Sequence, residues 1–100
     1  MDSCPNCQKN KKQARSEAFS KDIKTRLNKI NGQINGVSNM IDDNRYCVDI
    51  LTQIAAIESA LKQVGYIILE DHMKTCVSDD IKQDNFSSLE EALVIAKKLM

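Results

Sequence analysis

Residues 47–76 read CVDILTQIAAIESALKQVGYIILEDHMKTC, a stretch with no proline and one glycine. Within it Ile50, Ile54, Ile57, Leu61, Val64 and Ile68 follow at alternating steps of four and three. That rhythm predicts one helix with a heptad-like apolar seam, the kind that packs along another helix. At 1.5 Å per residue it runs about 40 Å. One short neighbour cannot cover that length, so partner subunits are expected to share its apolar surface.

The same rhythm precedes it. Ile23, Leu27, Ile30, Ile34, Val37 and Ile41 predict a first helix that starts near Ser20 as its N-cap and is broken by DDNR at 42–45. Gly32 and Gly36 each cost about 1 kcal/mol relative to Ala in a helix interior, so close approach of a neighbouring backbone is expected there. After the long helix, residues 77–87 read as a connection. Ser88 and Glu91 form a capping box for a last short helix carrying Leu89, Leu93, Ala96 and Met100. Residues 1–18, MDSCPNCQKNKKQARSEA, are polar and aperiodic and read as a flexible tail containing Cys4-Pro5-Asn6-Cys7; residues 19–100 form the helical domain. The fold class is all-α, a three-helix protomer with one long central helix.

Composition agrees. One hundred residues make one small domain, with no Trp, two Phe and two Tyr, so the core is aliphatic and oligomerisation is a natural source of stability. No window approaches the roughly 18 apolar residues of a membrane span and no apolar signal segment opens the chain, so a cytoplasmic protein without a membrane role is expected. In that reducing compartment four cysteines point to metal binding or redox sensing rather than structural disulfides. The zero net charge divides into +5 over residues 1–34 and −5 over 35–100. A basic first third suits an acidic partner, nucleic acid included, as well as a merely solvated face.

His72 is the only histidine, and Cys76 follows it by four residues. On an ideal helix at 100° per residue, Cys47, His72 and Cys76 project from one stripe, with His72 and Cys76 about 20° to either side of Cys47. Cys47 and His72 are nevertheless about 37 Å apart along that helix. An antiparallel dimer removes the difficulty, bringing the Cys47 end of one chain against the His72–Cys76 end of the other and making two equivalent sites. Two thiolates and an imidazole are a soft set that selects Cu(I), zinc or iron–sulfur; a three-coordinate arrangement favours Cu(I). Zinc would want a fourth donor, from the tail thiols or a carboxylate. The plainer reading is a capped surface histidine and inert buried cysteines. Cys4 and Cys7 can share a metal but lack a second ligand pair, so an accessory metal or redox role, or none, is expected of them.

The set RYC-VDILTQIAAIESAL…LEDHMKTC, preceded by RLNKINGQINGV, resembles the copper-sensing operon repressor (CsoR) family of bacterial metal-responsive repressors. The resemblance spans residues 20–100, and its most specific feature is a Cys, 24 residues, a His, three residues and a Cys. It implies a helical dimer of dimers, a homotetramer, that binds double-stranded operator DNA without a helix-turn-helix and releases it when Cu(I) binds a Cys-His-Cys site shared between chains. Carried over, Cys47, His72 and Cys76 match the ligands, and Tyr46 and Glu91 match groups that support them. Arg26 and Lys29 match basic first-helix positions used on DNA, and Lys21 and Lys24 lie on the same helix. Asn31 stands where an acidic residue is common, and Gln63, with Lys62 beside it, where arginine is common. His72 argues against the persulfide-sensing members and Cys76 against the nickel/cobalt members.

A Cu(I)-responsive repressor of copper-resistance genes is the leading expectation. A reactive-sulfur sensor using Cys47 and Cys76, or a copper buffer without DNA binding, are the alternatives; the basic first third favours a repressor over a buffer. No nucleophile–base pair has a third orienting group, so an enzyme is not expected.

Overall fold

The structure, a computed structural model, describes residues 15–100. Cys4, Cys7 and most of the tail lie outside the described residues. Helix α1 spans Glu17–Asp42, α2 Cys47–His72, α3 Ser78–Lys82 and α4 Ser87–Leu99. A π-helical turn, Met73–Val77, joins α2 to α3, so the chain forms three helical runs and no strand among the described residues. None of the described helices is long and apolar enough to cross a membrane.

The ends of the runs depart from expectation in ways the local chemistry explains. The first run starts at Glu17 because Ser16, not Ser20, is the N-cap, its hydroxyl accepting from the Phe19 N–H at 3.1 Å. Its C-terminus closes where Asn44 takes the left-handed φ of 54°, and the Arg45 N–H reaches back to the Met40 carbonyl at 2.9 Å. The second run does not end at Cys76 but continues to Lys82, converting half of the expected connection into helix. It closes in the same way, with Asp84 at φ 58° and the Asn85 N–H on the Asp80 carbonyl at 2.8 Å. Both are Schellman closures, and asparagine and aspartate tolerate the left-handed conformation better than most residues.

The expected Ser88–Glu91 capping box does not form. Helix α4 begins two residues earlier, the Asn85 side-chain oxygen accepts from the Ser87 N–H at 3.0 Å and the Ser87 hydroxyl at 2.9 Å, and Ser88 falls inside the helix with its hydroxyl buried and, among the described residues, unbonded.

Two compact units are described separately, Ser16–Val64 and Gly65–Met100. In Ser16–Val64, Ile23, Ile30 and Val64 are buried, while Leu27, Ile34, Ile41, Ile54 and Leu61 of the apolar seams remain exposed. A Cβ on Gly32 or Gly36 would meet open space among the described residues, none of which accounts for either glycine. In Gly65–Met100, α4 lies against the π turn and α3. A Cβ on Gly65 would fall 2.9 Å from a Leu99 methyl, so glycine here admits the end of α4. The Tyr66 hydroxyl donates to the Leu99 carbonyl at 3.2 Å beside it.

Candidate metal centre and basic helix face

Cys47 is the first residue of α2 and His72 the last, with unbroken helix between them. The carbonyl of Tyr46 accepts the Asp49 and Ile50 N–H groups, at 3.1 and 3.2 Å, and so opens the helix. Cys47 is a free, exposed cysteine at the positive end of the helix dipole, which suits an anionic donor. The Tyr46 ring is exposed as well.

His72 and Cys76 differ sharply from Cys47. They are 5% and 4% exposed, and the π turn lies between them. Its signature is the Ser78 N–H on the Met73 carbonyl, five residues back. The Thr75 hydroxyl donates to the Asp71 carbonyl at 2.9 Å, a back-bond of the type that bends helices. Because a π turn is wider than an α turn, the 100° count used to place Cys76 does not hold beyond His72. Such turns recur at functional sites.

Burial pushes the His72 imidazole below the usual histidine range, while the Glu91, Asp80 and Asp71 carboxylates pull it the other way. Burial prevails, so the ring is neutral near pH 7 with a lone pair free to bind a cation. Glu91 is half-buried and Glu90 exposed, and it is Glu91 whose charge reaches the ring. An imidazole and a cysteine sulfur one turn apart fit a soft cation. Among the described residues, however, no three histidine, cysteine, aspartate or glutamate side chains of one chain converge on such an ion.

The same cluster holds groups that sequence reasoning missed. Asp80 and Ser88 are 0% exposed, and among the described residues neither the Asp80 carboxylate oxygens nor the Ser88 hydroxyl has a hydrogen-bond partner. The available signal was the spacing: His72, Cys76 and Asp80 follow at steps of four. Reading Val77 onward as a connection concealed it.

Lys21, Lys24, Arg26 and Lys29 are exposed on α1, and Lys62 is exposed on α2. Arg26 is held by Asp22 four residues earlier, at 3.2 Å, leaving that part of the face less cationic than the lysines make it elsewhere. A cleft of about 400 Å³ runs beside Arg26 and Lys29, with Gln33 and Gln63 also on its wall. The Gln33 side-chain oxygen is buried there without a partner among the described residues. Basic groups together with amides make a surface able to meet phosphate and to accept or donate hydrogen bonds.

A family model for metal-sensitive transcriptional repressors matches residues 20–98. The copper-sensing transcriptional repressor CsoR of Bacillus subtilis is 47% identical over 77 residues, which cover 76% of each chain. The crystal structure of the copper-sensing repressor CsoR with Cu(I) from Geobacillus thermodenitrificans superposes with a TM-score of 0.79 at 42% identity, covering 87% of this chain and 92% of that one. The nickel-responsive transcriptional regulator InrS superposes with a TM-score of 0.70 at 31% identity, over 89% and 98% of the two chains.

Proposed function

Since the chain belongs to the family of metal-sensitive transcriptional repressors, we propose that it is a Cu(I)-responsive repressor. It binds double-stranded operator DNA in the metal-free state and releases it when Cu(I) occupies a Cys47–His72–Cys76 site shared by two chains, derepressing copper-resistance genes. The observation that carries this reading is the buried His72–Cys76 pair at one end of an unbroken helix whose other end presents the exposed Cys47. A helix of 26 residues holds its ends too far apart, about 37 Å, for one ion to bind both. A second, antiparallel chain supplies the missing cysteine, and two-fold symmetry then makes two sites. The copper-sensing relatives, one of them solved with Cu(I), support the choice of ion.

Each residue has a distinct task. Cys47 and Cys76 offer sulfur, and the neutral His72 offers one ring nitrogen. The other ring nitrogen can bond the carboxylate of Glu91 or the hydroxyl of Tyr46 from a partner chain, tying α2 to its neighbours. When bound, Cu(I) supplies a soft cation that these donors select over hard ions. Lys21, Lys24, Arg26, Lys29 and Lys62 neutralise phosphates, and the chain does no covalent chemistry. Copper and DNA then oppose each other reciprocally: if copper weakens DNA binding by some factor, DNA weakens copper binding by the same factor.

Fluorescence anisotropy on labelled DNA from upstream of the protein's own operon tests the reading. The metal-free protein should bind, and Cu(I) should release the DNA. Release by a polysulfide in place of Cu(I) would select the reactive-sulfur alternative, and absence of DNA binding would select a copper buffer.

A further inference from the structure

Asp80 is a charge that the proposed site leaves unused. It lies four residues beyond Cys76 on the same helical run, is fully buried, and has no hydrogen-bond partner for either oxygen among the described residues. Residues four apart on a helix have Cβ atoms about 5–6 Å apart, and helical side chains lean toward the N-terminus, so Asp80 leans toward Cys76. Its charge also acts on His72. A buried carboxylate without a partner is costly enough to call for a counter-charge nearby.

Resting on the Cys47–His72–Cys76 site, we propose that Asp80 is a selectivity residue whose buried negative charge favours a divalent cation over Cu(I) in that site. It acts from a distance. His72 and Asp80 are eight residues apart on one run, about 12 Å along its axis, too far for an ion held by His72 and Cys76 to be ligated by Asp80 as well.

Charge balance makes the preference specific. Cu(I) taken up by two protonated thiols displaces two protons and leaves the site one unit more negative, whereas a divalent ion leaves its charge unchanged. With ionised thiols the changes are one and two units positive. In either case the divalent ion places one more positive charge near Asp80 than Cu(I) does, whatever the protonation of the thiols. An ion held midway between His72 and Cys76 lies about 9 Å along the axis from Asp80, and at an effective dielectric constant of about 20 one unit of charge there corresponds to about 20-fold in relative affinity.

The test measures Cu(I) and Zn(II) affinities by chelator competition on the reduced full-length protein, its Asp80→Asn variant and its Asp80→Glu variant. Asp80→Asn keeps the shape and removes the charge, so the Zn(II):Cu(I) affinity ratio should fall about 20-fold. Asp80→Glu keeps the charge and should hold the ratio near that of the parent. Asp80→Ser serves as a second neutral variant where circular dichroism shows that the asparagine variant is unfolded, and the same ratio decides. An unchanged ratio in the neutral variant overturns the proposal, and so does an equal fall in Asp80→Glu, which would make Asp80 a packing residue. A parent chain that binds neither ion overturns the shared-site reading along with this one. A parent that binds both ions, with an unchanged ratio in Asp80→Asn, overturns this proposal alone.

Discussion

In Ser16–Val64 aliphatic side chains stand in the open, Leu51 at 62% exposure and Leu61 at 51%, and the buried set is no more than Ile23, Ile30 and Val64. In Gly65–Met100 the buried set is His72, Cys76, Val77, Asp80, Ser88 and Ala92, and three of these are polar or charged. The two units lack opposite things. Contiguous exposed apolar surface calls for cover, usually a second chain. Buried polar groups without partners call for a counter-charge or a ligand. A partner subunit laid antiparallel along α2 would answer both needs, covering the seam of one unit and bringing Cys47 to the cluster of the other.

The largest effect should come from charging the seam. Leu61→Glu removes an apolar contact worth about 1.5–3 kcal/mol for each copy buried. A two-fold interface contains the residue twice, so the dimer dissociation constant should rise by about two to four powers of ten. Sedimentation at micromolar concentration measures it. An unchanged oligomer would mean that the seam is covered by something other than a second copy.

At the polar end, His72→Ala should weaken Cu(I) binding by more than the about 10–100-fold that loss of a mere supporting group costs. The variant should still bind DNA and should release it poorly at saturating Cu(I). Full release would disconnect the histidine from the response. Mixing Cys47→Ala and His72→Ala chains, neither of which completes a site alone, should restore one intact site per mixed dimer. Chelator competition reads the stoichiometry, and no restoration would place the three donors within one chain.

Smaller again is the contribution of single cations. Lys29→Ala should reduce the log–log salt slope of DNA binding by about 0.9, the value for one phosphate contact. Arg26→Ala should reduce it less, because Asp22 already engages Arg26. Equal reductions would mean that Arg26 leaves Asp22 on DNA.

The smallest effect belongs to a cap. Ser16→Ala should cost about 1 kcal/mol, fraying the start of α1 in hydrogen exchange while Cu(I) affinity stays as it was. A fall in Cu(I) affinity would show that the start of α1 and the metal end are coupled.

Hydrophobic period and residue type alone determined that this chain is helical. Ile50 through Ile68 fixed the long helix and Ile23 through Ile41 the first, because a seam of period 3.5 satisfies no other element. They also marked His72 and Cys76 as neighbours, since a separation of four is a contact on an α-helix. Tertiary structure decided the rest. It carried the second run past Cys76 to Lys82, inserted the π turn that changes the phase of the pair, gave the cap of α1 to Ser16, and started α4 at Ser87 behind Phe86. It also buried Asp80, which the composition of VSDDIKQDN marks as a solvated loop. Helix period is a local property, fixed by each residue's own backbone and its neighbours within a turn or two. Burial of a carboxylate depends on what α4 brings against α3, and no residue within α3 encodes that.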